Sequence, residues 1–167
     1  MGRSADAPRP PPRHARPMHE QRNKQIVRRF VAEYQTDADE RAFAELLDPD
    51  VVDHSRPPGI APGTEGVRQQ FDGFRAAFAG FRAEILDQIA EGDKVVTYKI
   101  FRGTHAGDFM GIAPTGRDVE IAVIDIVRVV DGRIAEHWNV VDRLGLLAQL
   151  GALPTDTRDE LIGAKDR

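Results

Sequence analysis

The 167 residues carry 41% apolar and 30% charged side chains, the mix of one soluble domain with a real core rather than two. A net charge of −4, with no basic patch of interleaved aromatics, argues against a nucleic-acid partner, and no apolar run approaches the ~20 residues of a membrane span. Cysteine is absent, which removes thiolate catalysis, disulfides and cysteine-ligated metals.

Residues 1–19 are rich in Pro and Arg and lack apolar periodicity, the composition of a disordered tail. They lack the pattern of a secretory signal, so cytoplasm is the expected compartment. The domain is expected over residues 20–154, with a polar tail at 155–167. From Glu20 to Tyr34 the spacing of Ile26, Val27, Phe30, Val31 and Tyr34 predicts an amphipathic helix. Asp37 or Asp39 can cap a second helix that stops at Asp48-Pro49, and Val51 to His54 reads as a short strand. After a Pro/Gly-rich loop, Thr64 can cap a third helix through Val67, Phe71, Phe74 and Phe78. Alternating segments then run from Phe81 to Ala90, Lys94 to Thr104, Arg117 to Val130 and Arg133 to Asp142, and Leu144 to Leu150 forms a short apolar helix. Helices followed by a meander of long strands predict an α+β fold, a curved antiparallel sheet with its helices over one face and an apolar pocket between.

The last hairpin carries the most chemistry. Asp131-Gly132 is a two-residue turn signal, so Val130 is expected opposite Arg133. Unbroken pairing then sets Asp125 opposite Trp138 and Val127 opposite Glu136, and opposed residues share a face. One face would hold Asp125, Glu136 and Trp138 among Ile121, Val123, Val127, Val129, Ile134 and Val140. The other would hold Ala122, Ile124, Ile126, Val141 and His137. A carboxylate among β-branched side chains is costly unless bonded, paired or protonated, and desolvation should raise the pKa of Asp125. Two readings of Asp125 stay open: an acid/base catalyst, or a member of a polar network in the core. No set of three His or carboxylates at metal spacing occurs, nor a Gly-rich phosphate loop after a strand, nor a GxSxG elbow, so no metal or cofactor is expected.

The run GTHAGDFMGIAPTGR from Gly103, then VIDIVRVVDGRIAEHW from Val123, resembles the SnoaL-like polyketide (ester) cyclases. DRLGLLAQLGALP from Asp142 and VVDHSRPPGIAPGTEG from Val51 look like further segments of that family. The resemblance implies the cone-like α+β barrel of the nuclear transport factor 2-like superfamily. It also implies intramolecular aldol ring closure without metal or coenzyme, with Asp125 at the position of the strand acid/base. His105, at a strand end before a Gly-rich loop, is expected as a second catalytic group. His54, Trp138, Glu136 and Phe109 are expected to contact a hydrophobic carbonyl compound. His54 lies near where the related ketosteroid isomerase keeps its base, so steroid isomerase activity is not expected. A non-catalytic ligand-binding domain, or a hydrolase or isomerase using the same Asp, remains an alternative. The apolar stripe of Ala122, Ile124, Ile126 and Val141 predicts a homodimer.

Overall fold

A computed structural model describes residues 16–153. Helix α1 (Arg16–Arg29) runs directly into a π-helical segment (Phe30–Thr36), followed by α2 (Glu40–Leu46), β1 (Leu47–Asp53), α3 (Gly63–Ala77), β2 (Phe78–Glu91), β3 (Lys94–His105), β4 (Asp118–Val130), β5 (Arg133–Val141) and α4 (Arg143–Leu150). The α+β class is as expected. Most of the predicted tail, and all of the one at 155–167, lies outside the described residues. Residues 16–19, predicted as tail, are the first turn of α1.

The five strands form one curved, unclosed sheet in the order β1-β5-β4-β3-β2, antiparallel except where β1 lies parallel to β5. Local chemistry explains the boundaries. Asp39, rather than Asp37, caps α2, its carboxylate accepting from the N–H groups of Arg41 and Ala42. Helix α3 has no side-chain cap, and Phe78, predicted as its last apolar residue, starts β2 instead. Asp131 and Gly132 both have positive φ (49° and 83°), the backbone a type I′ hairpin needs.

Inward residues of β3 and β4 alternate strictly with outward ones, so Val95, Phe101, Ile121, Val123, Val127 and Val129 are buried beneath the helices. Two apolar clusters result. One joins α1, the π-helical segment, α2 and β1 to the hairpin end of the sheet. The other gathers Phe78, Phe81, Phe101 and α4 at the opposite end. Among the described residues no helix covers the outward face of the sheet, and Ile124, Ile126, Tyr98 and Val140 are exposed there.

Candidate active site

The predicted register of the last hairpin fails after two residues. Val130 pairs with Arg133 and Val129 with Ile134, but Arg128 then pairs with Glu136, leaving Ala135 unmatched in a β-bulge. Because side chains alternate with period two, this single residue turns the rest of β5 over. Asp125 is opposite Asn139, Val127 opposite His137, and Ile126 opposite Trp138. His137 therefore shares the inner face with Asp125, and Trp138 and Glu136 are outside, the reverse of the sequence expectation. Val140 and Val141 exchange faces likewise: Val140 is exposed and Val141 lines the interior.

Between helices and sheet lies a cavity of about 460 Å³, walled by apolar side chains of the π-helical segment, α3, β4 and the loop after β3. Its polar groups form a chain. Gln35 Oε1 accepts from Lys99 Nζ at 2.8 Å, and Lys99 in turn pairs with Asp125 Oδ2. Asp125 Oδ1 lies 3.3 Å from His137 Nε2, and His137 Nδ1 lies 3.0 Å from Asp53 Oδ1. Asp53 also accepts from Gln70 Nε2 at 3.2 Å and the Ser55 N–H at 2.9 Å. Each buried charge is thus next to one of opposite sign, the condition under which burial is tolerable.

These contacts reverse the expected pKa shift of Asp125. Burial pushes it up, but the Lys99 charge and the His137 bond outweigh that and hold it at about 2. Burial pushes His137 down, but its bonds to Asp125 and Asp53 win and raise it to about 9. Asp53 is held below its ordinary value, its desolvation outweighed chiefly by the His137 bond. At neutral pH Asp125 and Asp53 are therefore carboxylates with a protonated His137 between them.

The remaining predicted site residues divide. Phe109 does line the cavity, its ring stacked on Phe74 at 5.8 Å. His54 does not: it lies flat on Trp138 at 4.4 Å and 2° on the outer face, with Nε2 2.8 Å from Glu136. Glu136 is also held by Arg128, opposite it across the bulge. His105 is fully buried behind the cavity wall, with Nδ1 accepting from the Thr115 N–H at 3.2 Å and its ring against Phe78. Sequence reasoning missed Lys99, Asp53 and Gln35. Lys99 had a legible signal: it is a lysine on the apolar side of the alternating strand Val95, Thr97, Lys99, Phe101. Among the described residues no cluster of three or more His, Cys, Asp or Glu is arranged to hold a metal ion, and no helix is long and apolar enough to cross a membrane.

Comparison with known proteins shows the family and agrees with the fold. Residues 25–150 match the SnoaL-like polyketide cyclase family. The chain is 30% identical over 134 residues to aklanonic acid methyl ester cyclase DnrD of Streptomyces peucetius, covering 75% of this chain and 88% of the relative. It is 32% identical over 118 residues to the nogalonic acid methyl ester cyclase of Streptomyces nogalater, covering 69% and 84%. Among solved structures, TsrD of Streptomyces laurentii superposes with a TM-score of 0.72 at 32% identity, covering 80% of this chain and 97% of that one. IdmH of Streptomyces antibioticus gives 0.69 at 36% identity, covering 77% and 98%.

Proposed function

This chain belongs to the SnoaL-like polyketide cyclase family and is a cyclase-like enzyme, and on that premise we propose that it closes a ring in a hydrophobic, carbonyl-bearing polyketide by intramolecular aldol addition. The observation that carries the proposal is the Asp125–His137 pair on the wall of an otherwise apolar cavity. Asp125 takes the acidic C–H proton between two carbonyls, and the C–H electron pair becomes an enolate. The enolate carbon attacks a second carbonyl carbon, whose π pair becomes an alkoxide. His137 Nε2–H protonates that alkoxide, and the proton on Asp125 returns to His137 along their 3.3 Å contact. The sum is an isomerisation by proton transfer alone, with no call for metal or coenzyme.

The low resting pKa of Asp125 suits the step. Once the His137 N–H turns from Asp125 to the substrate carbonyl, the carboxylate loses one of the groups holding its pKa down, so its proton affinity rises when it must act. Asp53 keeps Nδ1 of His137 engaged and the ring oriented. The test is direct: offer aklanonic or nogalonic acid methyl ester and follow conversion to an isomer of equal mass. Ring closure supports the proposal; tight binding without an isomer makes the domain a binding module.

A homodimer through the outer sheet face is part of the same reading. That face presents Tyr98, Ile124, Ile126 and Val140, and several charges around them are paired internally, Arg102 with Glu84 and Glu120, and Arg128 with Glu136. An apolar centre whose rim is partly neutralised fits a second copy of itself better than a strongly charged partner.

A further inference from the structure

We propose that Lys99 is a catalytic residue, its ammonium binding the enolate oxygen formed when Asp125 takes the substrate proton. The inference rests on the ring-closure reading and adds the group that ring closure otherwise lacks. An aldol addition needs one base and partners for two oxygens, the enolate oxygen and the alkoxide oxygen. The cavity holds one carboxylate with a cationic donor at each of its oxygens: His137 at Oδ1, Lys99 at Oδ2. His137 serves the alkoxide in the proposed cycle, and the enolate oxygen falls to Lys99.

Three features fit Lys99 for this. Its side chain is 1% exposed yet lines the cavity, so its charge acts where water does not dilute it. An ammonium has three donors; one goes to Asp125 and one to Gln35, and the nitrogen sits 4.8 Å from the centre of the Phe101 ring, leaving a donor without an oxygen partner among the described residues. Gln35, buried on the π-helical segment, keeps the amine in place when Asp125 lets go.

Charge conservation makes the contact selective for the reacting state. Before reaction Lys99 is neutralised by Asp125. Proton transfer turns Asp125 into a neutral acid and the substrate into an anion in one step, so Lys99 loses its counter-ion as a new one forms beside it. An interaction that strengthens only as the enolate appears accelerates the reaction rather than merely binding substrate.

The test uses 2-naphthols of graded acidity as two-ring enolate mimics. Asp125→Asn imitates the protonated acid, so it should bind the most acidic naphthol at least ~10-fold more tightly than wild type, with naphtholate absorption in the bound state. Adding Lys99→Met in that background should abolish both the gain and the naphtholate band. No gain in Asp125→Asn, or a gain that survives Lys99→Met, overturns the inference. If Asp125→Asn does not fold, wild type is compared with Lys99→Met/Asp125→Asn, which removes anion and cation together. Wild type should hold the bound naphthol as naphtholate, read from its absorption, with the proton taken up by Asp125, and the double variant should bind it as the neutral phenol; an equal naphtholate band in both overturns the inference. Naphtholate binding of the expected pattern without ring closure of any polyketide ester sustains the role of Lys99 as an oxyanion donor and removes the cyclase reading alone.

Discussion

At the scale of single residues, the site works through opposed effects on the same groups. Desolvation pushes the pKa of Asp125 up and that of His137 down, but Lys99 first and then His137 hold Asp125 ionised, and Asp125 with Asp53 holds His137 charged. This makes stability depend on pH in a definite direction. His137 has a folded pKa of about 9, above its ordinary 6.5, so its contribution is full below about pH 6.5 and is lost as pH rises through 9. Asp125 has a folded pKa of about 2, below its ordinary 3.8, so its contribution is present above the ordinary value and lost as pH falls through 2. Melting temperatures measured from pH 6 to 9.5 should fall for wild type and stay nearly level for His137→Gln. Parallel curves for the two proteins would show that His137 is not held between carboxylates.

At the scale of elements, the bulge at Ala135 decides which side chains reach the cavity. Its cause was half-visible in the sequence. An unbroken register would have put two carboxylates, Asp125 and Glu136, on one apolar face, and the bulge relieves that conflict by sending Glu136 out to Arg128 and His137 in to Asp125. Alternation and turn chemistry made the strands and the hairpin turn readable, but no local signal marks which small residue a strand will skip. The π-helical segment was equally hidden. Phe30, Val31 and Tyr34 lie on the buried face that α-helical spacing predicts, and the i→i+5 turn adds Gln35, five residues after Phe30, and so delivers it to Lys99. A strand-end histidine before a Gly-rich loop resembles a pocket group, but the ring of His105 is buried outside the cavity lining. Here it fastens the loop instead, with its main chain bonded to Arg117 and Gly116 and its ring to Thr115. Asn at position 105 should cost ~1–3 kcal/mol of stability through the lost buried bond and leave the shape of the pH–rate profile unchanged. A shifted profile in a well-folded His105→Asn protein would return that residue to the chemistry.

At the scale of the whole molecule, the described helices all cover one face of the sheet. The inner face carries the buried chain of charges, and the outer face carries apolar side chains that no other described residue covers. Replacing Ile124, 46% exposed at the centre of that face, by arginine should convert dimers to monomers in light scattering without changing turnover. A wild type already monomeric, or a variant still dimeric, would contradict the assignment of that face. The fold class and the apolar interior were legible because they follow from periodicity and element order. The site was not, because it depends on one skipped residue in β5 and one extra-wide helical turn.

The central claim is that Asp125 moves the substrate proton, and one substitution tests it most directly. Asp125→Asn keeps the shape but leaves Lys99 without its buried counter-ion, so the free protein should lose ~3–5 kcal/mol of stability. Ring closure of aklanonic acid methyl ester by wild type and Asp125→Asn should be compared below the melting temperature of the variant, with folding checked by circular dichroism. The account predicts a rate lower by roughly 10²–10⁴-fold in a folded variant that still binds the ester. Wild-type turnover by folded Asp125→Asn would contradict it and leave the buried chain of charges a structural feature alone.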